Sequence, residues 1–287
     1  MVIEHKTHTR MHLIFLLISV LFVMIYFTTF SQLITLWSMN EDYGHGFLVI
    51  PIVLYLLWKK AEDLSGETHE PEHWGGALVV IWAFLYCIGS VGQISTITYA
   101  SMIVFPIASV ATLIDTRTAM AILAPCGFMI FMFPVPSEVY TRVTNPLLIL
   151  STSFSFHVLD LLRIPVLRDG NLLTLPNYTM EVVQACSGIR SLMSIMALAF
   201  IMAYLMLKSN VLRIAFFLMS IPVAIIGNIL RISITALLAY FISPETAEGF
   251  SHTMAGIVVF LFACLLLFFC MELFLWLSRK RGLSFTP

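Results

Sequence analysis

A thiol and a guanidinium stand at the entrance of an apolar helix in the second half of the chain. Cys186 and Arg190 lie four residues apart in the run EVVQACSGIRSL, which leads from a polar stretch into an apolar segment. Residues four apart share one face of a helix, so both side chains can reach the same space. A helix N-terminus and nearby cations favour the thiolate form of a cysteine. The spacing therefore predicts a nucleophile at Cys186.

Two further polar residues reach the same level when the predicted membrane spans are measured. Arg231 follows Arg213 by 18 residues, which is about 27 Å of helix at 1.5 Å per residue. The hydrocarbon core of a bilayer is roughly 30 Å thick, so Arg231 is expected near its far boundary. His252 begins the last predicted span in the run GFSHTMAG. A thiol, a guanidinium and an imidazole are thus predicted at one depth.

These three residue types together suit acyl transfer. Cys186 could attack a carbonyl carbon while His252 exchanges a proton with the thiol and a leaving amine. Arg231, with Asn228 on the same helix face, could stabilise the developing oxyanion. Each residue also has a structural interpretation: a packed cysteine, an interfacial histidine, and an arginine that extends to the lipid headgroups. Spacing alone leaves both interpretations open.

The composition indicates a polytopic membrane protein. Of the 287 residues, 60% are hydrophobic and 11% are charged, whereas soluble domains contain about 25% charged residues. The net charge of −1 argues against nucleic acid as a partner, because no basic face is available for phosphates. The cysteines show no CxxC pair and no His-Cys pairing at metal spacing. None of the functions considered below requires a metal or a redox cofactor, so none is expected.

The hydropathy pattern predicts an all-α fold, with residues 1–287 forming a single integral membrane domain. Between the fifth and sixth spans, the segment 143–183 is expected on the outer face, as an interfacial amphipathic helix followed by a small hairpin at 171–183. About eight transmembrane helices are predicted, at residues 13–37, 44–58, 75–92, 97–114, 119–133, 187–207, 214–241 and 253–277.

The basic residues indicate how these spans are oriented. Ten of the 15 lysines and arginines fall in the termini and in alternate loops, and the other five lie in the spans or the outer segment. Because cytoplasmic loops are enriched in Lys and Arg, both termini are predicted to be cytoplasmic. Cys186, Arg231 and His252 are then expected on the outer face of the membrane.

Three motifs in the same order resemble the exosortase/archaeosortase family of membrane transpeptidases. They are EVVQACSGIRSL at 181–192, GNILRI at 227–232 and FSHTMAG at 250–256. The stretches YGHGFLVIPIVLYLLW at 43–58 and RIPVLRDGNLLTLPN at 163–177 resemble the family as well. The resemblance extends from about residue 43 to the C-terminus.

The resemblance implies which residues carry the chemistry. The cysteine, arginine and histidine of the three motifs fall on Cys186, Arg231 and His252, which are expected to be catalytic. Either His252 or His45, from the GHG of the upstream stretch, could be the working base. Residues expected to support catalysis or bind substrate are Arg190, Asn228, His45, Ser187 and Gly188.

The resemblance also implies the substrate and the cellular location. Family members process exported proteins that end in a PEP-type motif, a transmembrane helix and a basic tail. They cleave near the motif through a thioester and pass the protein to an acceptor, often in bacteria that make exopolysaccharide. The chain is accordingly expected in the bacterial inner membrane, in contact with lipid, with its active site on the periplasmic face.

Two other functions remain open from the sequence. A purely hydrolytic membrane cysteine protease would use the same thiol with water as the acceptor. A non-enzymatic transporter or export-complex subunit would instead line a path with Arg231 and Asn228. Against the transporter, the halves of the chain show neither an internal repeat nor matching broken helices.

Overall fold

Long apolar runs with few interior charges fold into helices throughout the chain, because a helix satisfies every backbone polar group within one segment. A computed structural model describes residues 2–64, 74–182, 189–244 and 249–280. The chain divides into two units, residues 1–134 and 135–287. The helical membrane-protein class predicted from the sequence is confirmed.

The described residues of the N-terminal unit form helices joined by short turns, without a strand. Two short 3-10 helices, Glu41–Tyr43 and Met129–Met132, interrupt the α-helices. The α-helices are α1 (Val2–Ile25), α2 (Phe27–Met39), α3 (Gly46–Leu64), α4 (Trp74–Val91), α5 (Ser95–Leu113), α6 (Thr116–Ala121) and α7 (Leu123–Phe128).

Helices α4 and α5 pack closely through two glycines. A Cβ atom on Gly89 would lie 2.6 Å from the backbone nitrogen of Thr98, and one on Gly75 would lie 2.8 Å from the carbonyl oxygen of Ala111. Small residues of this kind let helix backbones approach each other in membranes.

The boundary between α1 and α2 is a bend of 75° at Tyr26. The fully buried Tyr26 hydroxyl shares a hydrogen bond with Ser101 Oγ at 2.8 Å and accepts one from Trp82 Nε1 at 2.9 Å. Both partners lie on the neighbouring helices α4 and α5, so tertiary contacts hold the bend.

The C-terminal unit combines four helices with a small sheet. The antiparallel sheet has the strand order β1-β2-β3. The elements are α8 (Ser137–Leu161), β1 (Leu167–Asp169), β2 (Leu172–Thr174), β3 (Thr179–Glu181), α9 (Ile189–Met206), α10 (Asn210–Phe241) and α11 (Gly249–Lys280).

Helix α10 stands between two hydrophobic clusters. Toward its N-terminal half it packs with α9 and α11, through residues such as Ile195, Phe216 and Leu267. Toward its C-terminal half it packs with α8 and the sheet, through Ile232 and Ala236. Because both clusters share it, α10 is the element on which the unit is assembled.

The span count stays a prediction. Four helices in the described part of the chain are long and apolar enough to cross a membrane, namely α4, α5, α10 and the stretch Gly256–Trp276 of α11. Counting each of two bent helix pairs as one span raises the number to six, below the predicted eight. The apolar part of α9, Arg190–Met206, is shorter.

Some predicted elements differ in detail. The span predicted at 13–37 is divided at Tyr26, and that at 119–133 is divided among α6, α7 and a 3-10 helix, in a sequence containing Pro125 and Gly127. The helix predicted from residue 143 begins earlier, at Ser137. The hairpin predicted at 171–183 corresponds to β2 and β3, and β1 adds a third strand.

Tyr26→Phe should destabilise the N-terminal unit. The substitution keeps the ring but leaves the Trp82 N–H without its acceptor, at a cost of about 1–3 kcal/mol in the free energy of unfolding. We expect a lower midpoint in thermal unfolding of the purified protein in detergent. Tyr55→Phe is the control, since Tyr55 is 49% exposed and its hydroxyl bonds to none of the described residues. Equal midpoints for the two variants would contradict the assigned role of Tyr26.

Candidate functional site

The guanidinium of Arg231 lies against helix α11 at Gly256. A Cβ atom built on Gly256 would be 3.7 Å from Arg231 Nε and 3.8 Å from Cζ. A methyl group at this position would therefore make an ordinary van der Waals contact with the guanidinium, whereas a larger side chain would displace it. Arg231 itself is half-buried.

A second glycine fixes the register of the two helices. A Cβ atom on Gly227 would lie 3.4 Å from Ala263 Cβ and 3.8 Å from Val259 Cγ1. Gly227 therefore faces a later part of α11 than Arg231 does, which shows that α10 and α11 run antiparallel. The contact of Arg231 with Gly256 lies one turn farther toward the start of α11.

His252 is one turn before Gly256 in the same helix. Residues four apart share a helix face, so the backbone of His252 lies on the face of α11 that meets Arg231. The side chain of His252 is outside the described part of the structure. Helix α11 begins three residues earlier, at Gly249.

The start of α9 lies at about the same height along the helix axes as Gly227 of α10. Helices α9 and α10 share the hydrophobic cluster that includes Ile195 and Phe216, and three residues connect them. Ile189 lies 17 residues before the end of α9, and Gly227 lies 17 residues after the start of α10. Both distances are about 26 Å at 1.5 Å per residue, so α9 begins at the level of Gly227.

The predicted nucleophile lies outside the described residues. Cys186, Ser187 and Gly188 immediately precede α9 in the chain, so the structure gives no geometry for the thiol. Arg190 is the second residue of α9 and is half-buried. The structure thus brings together the start of α9, Arg231 on α10 and the turn of α11 that carries His252.

Asn228 is buried beside this meeting point. It is 3% exposed, and neither its Oδ1 nor its Nδ2 has a hydrogen-bond partner among the described residues. Buried polar atoms are almost always hydrogen-bonded. An amide with both atoms available can donate to one group and accept from another.

Thr235 shares this condition, and the sequence did not single it out. It is 3% exposed, and its hydroxyl has no partner in the described part of the chain. A threonine in an apolar helix ordinarily bonds to the carbonyl four residues earlier. The sequence feature that could have identified Thr235 is its spacing of four residues from Arg231, which places both side chains on one helix face.

His45 belongs to the N-terminal unit and lies between a 3-10 helix and α3. Its imidazole is hydrogen-bonded to the backbone of Phe131 and Asp42, and its Nε2 is buried without a partner among the described residues. A side chain on the following Gly46 would collide with the indole of Trp37. The glycine after His45 is therefore a packing requirement.

Other potential ligands and nucleophiles are dispersed. No group of three His, Cys, Asp or Glu residues that could hold a metal ion occurs among the described residues. Cys126 is buried, Cys264 and Cys270 are half-buried, and Cys87 is exposed on α4. All four are free thiols that lie in apolar helices, away from the Arg231 contact in sequence.

Comparison with known proteins adds one match. Residues 37–269 match the family model described as transmembrane exosortase. No curated protein and no solved structure matches the chain. The matched region includes all three motifs and every residue of the candidate site.

Gly227→Val should weaken the packing of α10 on α11. The first added carbon would already lie 3.4 Å from Ala263 Cβ, so the branched side chain overfills the contact, at a cost of about 1–3 kcal/mol. We expect a lower thermal midpoint in detergent. Gly76→Val is the control, because a Cβ atom there meets no atom within 4 Å. A similar loss in both variants would show that the close contact at Gly227 is not the cause.

Proposed function

Because the chain belongs to the transmembrane exosortase family, we propose that it is a cysteine transpeptidase for membrane-anchored exported proteins. It cleaves them near a C-terminal PEP-type sorting signal and transfers them to an acceptor, in connection with exopolysaccharide or surface-protein export. Family membership supports the membrane transpeptidase class and protein substrates that carry sorting signals. The PEP-type sorting motif of the substrate and the transfer to an acceptor are part of what we propose.

The observation that carries the proposal is the contact between Arg231 and Gly256. It places the guanidinium beside the helix turn that bears His252, at the level where α9 begins. Cys186 precedes that helix by three residues. The described parts of the three motifs therefore lie in one unit, which supports the proposal that a thiol, an imidazole and an oxyanion donor act together there.

In the first half of the proposed reaction, the Cys186 thiolate attacks the carbonyl carbon of the scissile peptide bond. Arg231 donates hydrogen bonds to the carbonyl oxygen as negative charge develops on it. His252, having taken the thiol proton, returns it to the leaving amine as the carbon–nitrogen bond breaks. The products are a thioester on Cys186 and a freed C-terminal membrane helix.

In the second half, the acceptor nucleophile attacks the thioester carbon. His252 removes its proton, Arg231 again stabilises the oxyanion, and the carbon–sulfur bond breaks to restore the thiol. Water as the acceptor would make the protein a hydrolytic protease with the same residues. The product end distinguishes the two, because hydrolysis leaves a carboxylate and transfer leaves an amide or ester.

The proposed orientation puts this chemistry at the outer face of the bacterial inner membrane, with both termini in the cytoplasm. A substrate anchored by its own transmembrane helix would present its signal just outside the bilayer. The distribution of basic residues supports this orientation.

The test is the processing of a co-expressed membrane protein with a PEP-type tail. We expect wild-type membranes to shorten the substrate and Cys186→Ala membranes to leave it at full length, a loss on the order of 10³-fold or more. Cys87→Ala is the matched control, since Cys87 is an exposed free thiol on α4, and it should process normally.

Processing by Cys186→Ala at the wild-type rate would refute the thiol mechanism. If no tail is processed by the wild type either, the chain is better explained as an export-complex subunit. Mass spectrometry of the shortened product then identifies a free carboxylate or a new amide or ester.

Arg231→Lys should reduce processing about 10²- to 10³-fold, in the range for loss of an oxyanion donor. A lysine keeps the charge but lacks the planar fork of donors that orients two hydrogen bonds. The rate of substrate shortening, normalised to the amount of enzyme in the membrane, measures the effect.

Substitutions at Gly256 test whether processing depends on the position of the Arg231 guanidinium. Gly256→Ala should process like the wild type, because its Cβ atom makes an ordinary contact with the guanidinium at 3.7 Å. Gly256→Leu should impair processing by displacing Arg231. Full activity in Arg231→Lys would instead assign the arginine a role at the lipid headgroups.

A further inference from the structure

Three buried side chains of α10 have polar atoms without a hydrogen-bond partner in the described structure. They are Asn228, Ser233 and Thr235, each 3% exposed. Neighbouring α8 shows the usual arrangement, in which Thr152 Oγ1 donates to the carbonyl oxygen of Leu148 at 2.8 Å. Such a bond within the helix is open to Thr235, yet its hydroxyl does not make it.

Two of the three side chains share a face with Arg231. Asn228 lies three residues before Arg231, and Thr235 lies four residues after it, so all three form one stripe along the helix. Ser233 is two residues from Thr235, which is about 200° around the axis. Ser233 therefore provides an internal comparison on a different face.

This stripe of α10 runs beside the part of α11 that carries the third motif. Gly227 faces Ala263 and Val259, and Arg231 faces Gly256. One turn farther along the antiparallel pair, Thr235 comes to the level of the helix turn that carries His252. Asn228 and Thr235, which have no hydrogen-bond partner among the described residues, thus lie on either side of the arginine along the helix axis.

We infer that Asn228 and Thr235 bind the peptide backbone of the substrate's sorting signal, on either side of Arg231. This inference rests on the proposed function and adds the substrate-binding groups to it. A peptide offers alternating N–H donors and carbonyl acceptors, and both an amide and a hydroxyl can serve either kind of group. A bound peptide supplies partners that the described residues do not provide.

The spacing defines the length of peptide that fits. Asn228 and Thr235 are separated by seven residues, or about 10 Å along the helix axis. An extended chain covers that distance with about three residues, at roughly 3.3 Å each. The substrate class is therefore an extended segment of about three residues, with its central carbonyl at Arg231.

Retaining partnerless polar groups lowers the stability of the free protein, because a buried donor or acceptor without a partner is unfavourable. Removing a hydroxyl that binds substrate should therefore raise or preserve the stability of the free protein and lower its affinity for the peptide. Removing a hydroxyl that has no role in binding should change stability and leave the affinity for the peptide unchanged. This contrast separates Thr235 from Ser233.

The test measures binding separately from turnover. Full-length Cys186→Ala protein in nanodiscs is titrated with a fluorescent peptide that carries the PEP-type motif and its transmembrane helix. Thr235→Val, which removes the hydroxyl and keeps the shape, should raise the dissociation constant about three- to tenfold, as for loss of one neutral hydrogen bond. Its thermal midpoint should be unchanged or higher.

Ser233→Ala in the same background is the matched control. It also removes a hydroxyl that has no partner among the described residues, so its midpoint should be unchanged or higher. Its dissociation constant should stay within about twofold of the parent. Asn228→Leu should weaken binding in the direction of Thr235→Val.

The inference is overturned if Thr235→Val binds as tightly as the parent, or if Ser233→Ala weakens binding equally. A fall in the thermal midpoint of Thr235→Val would also overturn it, since the hydroxyl would then have a partner within the protein. Absence of peptide binding to the parent would have the same consequence. Failure of the wild type to cleave a peptide that binds through Thr235 would refute the proposed reaction and leave this inference standing.

Discussion

The C-terminal unit depends on the close packing of α10 against α11 at two glycines. Lipid chains are as apolar as the side chains they contact, so helix association in a membrane relies on shape and on small residues. Ala263 lies against Gly227, and the Arg231 guanidinium lies against Gly256. These contacts set the antiparallel register, and the register places the turn carrying His252 next to the arginine. A change of one helical turn would separate the two motifs by about 5.4 Å.

The second constraint is that polar groups in an apolar setting need partners. In the N-terminal unit this is met by tertiary bonds, as the fully buried Tyr26 shows with Ser101 and Trp82. In α8 it is met within the helix, as at Thr152. Asn228 and Thr235 are exceptions among the described residues, and they lie on the same helix face as Arg231. These two side chains therefore lie at the proposed site, where a bound peptide would supply hydrogen-bond partners that the described residues do not; Ser233, His45 and Thr116 also have a buried polar atom without a described partner, away from this face.

The sheet supports this end of α10 through a hydrogen bond and a shared hydrophobic cluster. Asn177 Nδ2 donates to the carbonyl oxygen of Ala239 at 2.9 Å, and the sheet buries Leu173 against Ile232 and Ala236 in a shared cluster. Helix α8, in the same cluster, donates from Ser155 Oγ to the carbonyl oxygen of Ile229 at 3.1 Å. Two elements, the sheet and α8, thus bond to the backbone of α10 between residues 229 and 239. A rigid support keeps a catalytic side chain in position more precisely than a loop would.

The sequence by itself determined the helical membrane class, the approximate bounds of α4, α5, α9, α10 and α11, and the three motifs that identify the family. Uninterrupted apolar runs have few alternatives to a helix in a bilayer, and motif order is a property of the chain alone. The bend at Tyr26 could not be predicted, because its partners are 56 and 75 residues away. Only the tertiary structure decided that Gly256 faces Arg231 and that the Thr235 hydroxyl lacks a partner among the described residues. Helical periodicity assigns residues to faces, whereas the neighbour that covers each face depends on how the helices cross.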